Sequence, residues 1–184
     1  MIDYTTGLLE SLQVILRHDL QPIMGWNDVL IDWPESPEHV KAWDKPVVFL
    51  QCAEKSSEGQ AIGSRAMYFD VEILTVYPTS LIGEHMEESV KAIQRTDADI
   101  LETYFYYLDQ HATFIRQLED NFENFYNMQQ TAETTSRSEK MADSAGSRPA
   151  LVTTATVVIE QTVVGFNLIT FLTKVMQLKG QPNG

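Results

Sequence analysis

The first twenty residues carry an apolar stripe with the spacing of an α-helix. Large aliphatic residues recur every three or four positions, which places them on one side of a helix over residues 3–20; they are Leu8, Leu9, Leu12, Ile15, Leu16 and Leu20. Pro22 has no backbone N–H and is expected to end this helix. The pattern therefore predicts an amphipathic N-terminal helix that buries one face.

Two later segments have the pattern of β-strands. Residues 47–53 are apolar at successive positions, as in a strand that is buried on both faces or at an interface. From Met67 to Tyr77 apolar and polar residues alternate, which predicts a half-buried strand, and Pro78 ends it. We predict that the two strands pair, with the polar residues 54–65 as an extended hairpin loop.

The connection between the first helix and these strands is rich in proline and tryptophan. Residues 21–46 contain Trp26, Trp33 and Trp43 and four of the seven prolines. Flexible linkers are poor in large aromatic residues, so this connection is expected to be ordered. The apolar run Val29 to Ile31 predicts one short strand within it.

The middle of the chain has helical periodicity. Residues 86–93 have the spacing of a short helix, and an apolar stripe predicts a long central helix over residues 97–130. Aromatic residues also lie off that stripe, which predicts a second contact face of the kind that self-association would supply; they are Tyr106, Tyr107, Phe114 and Tyr126. Candidates for the N-terminal cap of the long helix are Thr96, Asp97, and Asp99 in a capping box with Glu102.

The C-terminal part combines a polar segment with a clear strand pattern. Residues 131–149 are rich in Ser, Thr, Ala and charge, which predicts a mobile loop. From Leu151 to Val163 apolar residues alternate with Thr and Glu, which predicts a strand. Residues 168–178 fit either a strand or a helix, and we favour a strand. The tail, residues 180–184, is expected to fray.

These elements define the expected fold class. The chain is predicted to be one α+β domain over residues 1–184, a small and mostly antiparallel β-sheet packed with the N-terminal helix and the long central helix. Its 43% hydrophobic composition is sufficient for a packed core.

Charge and composition exclude several classes of protein. The 13 basic and 26 acidic residues give a net charge of −13, which is unlike a protein that grips a nucleic-acid backbone. The longest apolar stretch, Thr162 to Thr173, is too short and too interrupted to span a bilayer. We expect no membrane segment and no secretory signal. The single cysteine, Cys52, cannot form an internal disulfide, which indicates folding in a reducing cytoplasm.

No arrangement of residues in the sequence predicts catalysis or metal binding. His18, His39, His85 and His111 are dispersed; His85 and Glu88 share a helix face, but no second histidine lies one turn away. Asp109 and His111 point in different directions on a helix, so they are not expected to form a dyad, and His111 is expected at a surface or an interface. We predict no catalytic residue, no cofactor-binding residue and no metal site, and we expect a protein that is not an enzyme.

Three side chains in the predicted strands carry groups that could react, namely Cys52, Asp70 and Glu72. Cys52 lies in an apolar strand without an adjacent cation, so burial should raise its thiol pKa and it should behave as a small core residue. Asp70 and Glu72 share one strand face with Tyr68 and with the apolar Leu74 and Val76. A general acid in an apolar pocket would have this placement, but a sheet face that is polar at one end is the favoured interpretation.

The order of elements resembles the tail terminator (tail completion) proteins of tailed bacteriophages. The likeness covers residues 3–77, with the Pro46-Val47-Val48 strand start and the Tyr77-Pro78 strand end, and again residues 151–164. Both have a helix, a strand, a long loop, a strand, a helix and a further strand. The long aromatic helix and the residues beyond Val164 depart from the shorter members, which leaves the details of the ring contacts open.

The resemblance implies a structural virion protein of the tail and neck that is assembled in the host cytoplasm. It implies a homohexameric ring that caps the head-proximal end of the tail tube, stops tube polymerisation and joins the tail to neck or connector proteins. Tail-tube protein, and sheath protein if the tail is contractile, would be its partners. DNA would pass through an acidic lumen without specific binding. The two polar loops, residues 54–65 and 131–149, are then expected to be docking arms.

Two other classes of function stay open at this stage. A head-closure or connector protein would share the ring but engage portal or adaptor subunits. A small-molecule binding or enzyme domain would use the acidic strand face and the Trp-rich connection as a pocket.

Overall fold

The structure, a computed structural model, describes most of the chain. It covers residues 4–31, 44–61, 64–78, 86–122, 125–129, 133–143, 146–162, 173 and 175–177. The helices are α1 (Tyr4–Ile15), α2 (Gln21–Met24), α3 (Met86–Tyr106) and α4 (Ala112–Asn121), with a π-helical turn at Leu16–Leu20 and a 3-10 turn at Leu108–Gln110. The strands are β1 (Val29–Ile31), β2 (Val47–Ala61), β3 (Ser64–Val76), β4 (Phe125–Gln129), β5 (Thr134–Asp143) and β6 (Gly146–Thr162). The predicted α+β class is confirmed.

One mixed, mostly antiparallel sheet organises these strands. Its order is β1-β2-β3-β6-β4, and β5 also pairs with β6. Only β1 and β2 run parallel among the described pairs. β3 occupies one edge of β6, so β4 and β5 follow one another along its other edge, β4 beside Val158 to Gln161 and β5 beside Gly146 to Ala155. The predicted pairing of the first two long strands is confirmed.

The main core lies between the sheet and the helices. α1 contributes its predicted apolar stripe, and Phe69, Val71 and Ile73 of β3 meet it from the sheet. α3, α4 and the turn between them add buried side chains to the same cluster; these are Leu101, Phe105, Leu108, Phe114 and Leu118. We call this side of the sheet the helical face. Because side chains alternate along a strand, neighbouring residues of β3 point to the opposite face.

The opposite face of the sheet is apolar at one end. Its buried cluster consists of Val47, Phe49, Leu74, Val76, Ala150 and Val152. Further along the same face lie Glu72 and Asp70, so the face changes from apolar to polar along β3. This arrangement agrees with the favoured interpretation of the sequence, a sheet face that is polar at one end.

The first helix runs further than predicted. Pro22 does not end it; the helical path passes through the π-helical turn and α2, where proline occupies one of the first two positions and needs no N–H donor. Gln21 N–H bonds to Leu16 O, the longer reach of a π-turn. The path ends at Gly25, whose φ of 66° is left-handed. Glycine reaches that conformation without the steric cost that a Cβ brings.

The predicted long central helix is wrong in three respects. α3 already begins at Met86, so the predicted short helix is its first part, and it ends at Tyr106. Neither Thr96 nor Asp97 caps a helix: the Thr96 hydroxyl donates to Ala92 O at 3.1 Å, and Asp97 accepts from the Tyr77 hydroxyl at 2.5 Å. The chain then turns into α4, and residues 125–129 form strand β4.

Both predicted loops are β-hairpins. Residues 54–61 continue β2 and pair with β3 as far as Ser64, after a register shift between Cys52 and Glu54. Residues 134–143 form β5, and β6 begins at Gly146 rather than at Leu151. Polar side chains do not prevent strand formation where a neighbouring strand supplies the backbone partners. Residues 144–145 and the tail, 180–184, lie outside the described residues.

Two further expectations concern segments that are only partly described. The short strand at Val29 to Ile31 is confirmed, whereas Trp33 and the rest of residues 32–43 lie outside the described part of the chain. Within residues 168–178, Thr173 and Val175 to Gln177 are helical, so the strand favoured there is wrong at those positions.

The end of the first helical path provides a test of the left-handed glycine. Gly25→Ala should lower the free energy of unfolding by about 1 kcal/mol, because an L-residue is strained at this φ. Gly59→Ala is the matched control: Gly59 lies in a strand, and an added Cβ would meet nothing within 4 Å. The control should be neutral or slightly stabilising. Urea unfolding followed by circular dichroism measures both, and equal effects would contradict the assignment.

Candidate interaction surface

The two β-hairpins lie at opposite ends of the sheet. Ser64, beside the β2–β3 turn, pairs with Thr162, whereas Val76 at the other end of β3 pairs with Ala150. The β5–β6 hairpin closes between Asp143 and Gly146, beyond the Val76 end. The two segments that the sequence singled out as docking arms therefore face away from each other along the strand direction.

The hairpin formed by β2 and β3 exposes most of the distal half of β2. Every residue from Ala53 to Gly59 is exposed. Glu54 pairs with Asp70 and Glu58 with Ala66, so both glutamates lie on the face opposite the helices. Lys55 lies on the helical face, where its Nζ is 5.4 Å from the centre of the Tyr4 ring and 5.5 Å from that of Phe69. A cation at this distance is attracted to the face of an aromatic ring.

The hairpin formed by β5 and β6 extends past the body of the sheet. Tyr77 N–H still bonds to Pro149 O at 3.1 Å. From there, Arg148 is still buried, and Gly146 and Ser147 continue past it, which corresponds to about 7 Å of strand. The base of the hairpin is anchored to α3, because Ser138 Oγ donates to Gln94 Oε1 at 2.9 Å and Gln94 Nε2 donates to Ala150 O at 3.0 Å. A projecting hairpin with a fixed base is suited to contact a neighbouring molecule.

The paired carboxylates of β3 have polar partners. Asp70 accepts from the Thr156 hydroxyl at 2.7 Å, and Glu72 accepts from Gln51 Nε2 at 2.7 Å. Arg137 Nη2 of β5 also lies 3.8 Å from Glu72. These contacts fit a hydrogen-bonded polar sheet face, and they are unlike the apolar pocket that raises the pKa of a general acid.

Cys52 is less buried than its apolar surroundings in sequence predicted. The thiol is half-buried, and its Sγ lies 3.1 Å from Glu54 O, to which it donates. Burial raises its pKa, and the negative charge of Asp70 adds to the effect. The predicted direction of the shift is confirmed. The position differs because the register shift after Cys52 places it where β2 leaves the core.

Three of the four aromatic residues predicted to form a second contact face divide into two groups, and the side chain of Tyr126 lies outside what the structure describes. Tyr106 and Tyr107 are 52% and 53% exposed, and their rings meet edge to face with centroids 4.9 Å apart. Phe114 is fully buried in the core, so its assignment to a contact face is wrong. Tyrosine pairs with large exposed area are enriched at protein–protein interfaces. The pair at the end of α3 is thus the exposed aromatic feature of this region.

A three-helix junction around Asp19 was not predicted. Asp19 Oδ2 accepts from Tyr104 Oη at 3.0 Å and from His111 Nε2 at 2.6 Å, and its Oδ1 lies 2.6 Å from His18 Nδ1. The carboxylate therefore joins the π-helical turn, α3 and the residue before α4. Burial alone would raise the pKa of Asp19, but the hydrogen bonds from the two histidines and the tyrosine outweigh it and lower the pKa. Burial and the nearby carboxylate raise the pKa of Tyr104.

The geometry of the junction assigns the protonation of His111. Phe114 N–H donates to His111 Nδ1 at 3.1 Å, so that nitrogen is an acceptor and the proton lies on Nε2, facing Asp19. His111 is thus the half-buried N-terminal cap of α4, where the sequence predicted a residue at a surface or an interface. Both ring nitrogens are occupied, which leaves neither to act as a base. The sequence did not predict this junction, because the π-helical turn that presents Asp19 has no clear sequence pattern. The neighbouring pair His18 and Asp19 was the one visible feature of it.

The remaining candidate residues are dispersed or undescribed. His39 and His85 lie outside the described residues. Asp109 lies in the 3-10 turn before His111, and the His111 ring is hydrogen-bonded to Asp19 and Phe114. Within the described part of the chain, no three His, Cys, Asp or Glu side chains group closely enough to hold a metal ion.

Two comparisons with known proteins, one with family models and one with curated sequences, give no match. No protein-family model matches the chain, and no curated protein matches it. Among the described residues, no helix is both long and apolar enough to cross a membrane. The function must therefore be inferred from the geometry above.

The Asp19 junction generates a pH-dependent prediction. Asp19→Asn removes a charged acceptor of three contacts and should lower the free energy of unfolding by about 1–3 kcal/mol at pH 7. Because the folded pKa is lowered, the stabilisation by Asp19 is present above the ordinary value of 3.8 and is lost as the pH falls through the folded value. The difference in the free energy of unfolding between Asp19→Asn and the parent should therefore begin to narrow as the pH falls below 3.8.

Asp120→Asn is the control for this comparison, since Asp120 is exposed on α4. It should leave the free energy of unfolding within about 0.5 kcal/mol of the parent. Urea titrations between pH 7 and pH 3 provide the measurement. A penalty for Asp19→Asn that stays constant over this range would show that the carboxylate charge is not what joins the helices.

Proposed function

We propose that this chain is a tail-terminator subunit of a tailed bacteriophage, a structural virion protein of the neck region. The observation that carries the proposal is the pair of β-hairpins at opposite ends of one sheet, since Ser64 and Gly146 close turns that face away from each other. A protein that joins a tube to a neck must present one surface to each. The order of elements adds the family resemblance described above.

A ring of such subunits would place the hairpins on its two faces. If the ring axis lies near the strand direction, the exposed β2 segment Ala53–Gly59 points to one neighbour and the projecting β5–β6 hairpin to the other. The exposed tyrosines 106 and 107 offer further contact area for neck, tube or sister subunits. The homohexamer implied by the resemblance fits this two-sided arrangement.

The charge of the chain suits a passage for DNA. Its net charge of −13 would make the lumen of a ring repel phosphate groups. Glu54, Glu58 and Asp70 lie together on the sheet face opposite the helices. These carboxylates would repel the phosphates of a genome that slides past them.

The site chemistry supports an assembly role without catalysis. The strand carboxylates have hydroxyl and amide partners, the Cys52 thiol has a raised pKa, and His111 has both nitrogens engaged. A nucleophile with an adjacent free base would be needed for covalent chemistry. We infer that the protein acts by binding.

The ring and its capping activity are tested together with purified components. We expect a closed ring of about six subunits by light scattering and negative-stain microscopy, and arrested growth when the protein is added to polymerising tail-tube protein. A ring that ignores the tube but binds portal or adaptor subunits would favour a head-closure protein. A monomer at all concentrations, stabilised by a small ligand in a thermal-shift assay, would contradict the proposal.

The two hairpins should have separable tasks. We expect Glu54→Lys with Glu58→Lys to impair one of the two joints, tube capping or head joining, and Glu139→Lys with Lys140→Glu to impair the other. Light scattering of each purified variant shows whether its ring is intact, which separates the loss of a joint from the loss of contact between copies. All four positions are exposed, so both double variants should fold like the parent. Complementation of a phage lacking the gene, with tail lengths measured by microscopy, gives the result. Normal tails and normal head joining for both variants would show that the hairpins are not docking arms.

A further inference from the structure

One lateral edge of the sheet is open along the distal half of β2. Among the described strands, only β1 lies on its outer side, and it pairs with Val48 to Leu50 alone. From Ala53 to Gly59 the strand is exposed, so the edge beyond β1 is accessible. An open strand edge presents backbone N–H and C=O groups that another strand can pair with.

The other lateral edge is formed at this level by β4. Within the described part of the chain, β4 pairs only with β6. Its side chains Asn127 and Gln129 are exposed, while Met128 between them is buried in the core. β4 is thus fixed to the sheet through one side and leaves its other side available.

The two open edges lie at the same height in the sheet. Ser56 pairs with Tyr68, which pairs with Val158, which pairs with Gln129. One step along, Glu58 is connected in the same way to Asn127 through Ala66 and Glu160. Each step between β2, β3, β6 and β4 is antiparallel, so β4 runs opposite to β2.

We propose that the β2 edge of one copy pairs with the β4 edge of the next copy as antiparallel strands. A rotation about an axis near the strand direction keeps the direction of β2, so the next copy's β2 would be antiparallel to β4. Since both edges lie at one height, repeated pairing needs little translation along the axis, which favours a closed ring over an open filament. This names the subunit interface of the proposed ring and rests on that part of the proposed function.

The side chains along the two edges are compatible with this partner. β2 presents the carboxylates of Glu54 and Glu58, whereas β4 presents amides. Gln129 Nε2 and Asn127 Nδ2 donate to Glu160 at 2.7 and 3.4 Å, and an amide carries two N–H donors. The same glutamates would repel a second β2 edge, which disfavours a two-fold dimer through β2 alone.

Disulfide trapping tests this interface. In a Cys52→Ser background, Ser56→Cys with Gln129→Cys should form covalent multimers up to the size of the ring under mild oxidation, and each single cysteine variant should form nothing larger than a dimer. The two positions are three strand spacings apart within one chain, about 14 Å, which is beyond the reach of an internal disulfide. Glu58→Cys with Asn127→Cys is a second pair in the same register, and Ser56→Cys with Asn127→Cys covers a register shifted by two residues.

The control is Ser56→Cys with Lys91→Cys, since Lys91 is an exposed residue of α3, the helix whose Gln94 bonds to Ala150 at the opposite end of the sheet. It should give no multimers beyond a dimer. A ring in solution for which no edge pair is trapped above this control would overturn the edge pairing and leave the terminator function standing. Absence of any ring would overturn both. Trapping only after tail-tube protein is added would support the same edge pairing in a ring that closes on the tube.

Discussion

The uninterrupted ladder between β3 and β6 is the constraint on which the rest of the structure depends. Its register runs without a shift from Ser64 with Thr162 to Val76 with Ala150. Side chains alternate along both strands, so this one register decides which residues meet the helices and which form the opposite face. A slip of one residue would move Phe69, Val71 and Ile73 out of the main core. β4 and β5 both attach to the free side of β6, and β2 attaches to β3, so every other strand takes its height from this pair.

This dependence explains which elements the sequence predicted. The alternation in residues 67–77 and 151–163 is strong because one face is buried, and both strands are present. The sequence predicts loops at both hairpins because residues 54–61 and 134–143 carry no apolar alternation. Their strand conformation is imposed by the neighbouring strand through backbone hydrogen bonds, which composition does not encode. The same local reasoning extended the central helix to Gln130, whereas pairing with β6 makes Phe125–Gln129 a strand.

The sequence predicted which faces of the helices are buried, but it did not predict where the chain turns from one helix to the next. The apolar stripes of α1 and of α3 with α4 are in the core, as the periodicity indicated. Their turns depend on single polar contacts that join distant residues. Asp19 on the π-helical turn holds Tyr104 and His111, and His111 in turn begins α4 by accepting from Phe114 N–H. Tyr104 lies 85 positions after Asp19 and His111 lies 92 positions after it. The spacing of apolar residues along the sequence does not indicate that these two side chains bind the same carboxylate.

The candidate interaction surface lies where the strands leave the buried centre of the sheet and become exposed. The centre of the sheet satisfies its own backbone and buries its apolar side chains, so it has no further need of a partner. The distal part of β2 is exposed from Ala53 to Gly59 and gains stability mainly from β3 on one side. A strand in that condition is marginal by itself, since isolated two-stranded ribbons are weakly stable in water. Its glutamates and the break in register after Cys52 oppose indiscriminate pairing, while its backbone stays open to a strand of matching direction. The residues that look least structured in sequence are therefore those whose conformation a neighbouring subunit would stabilise most.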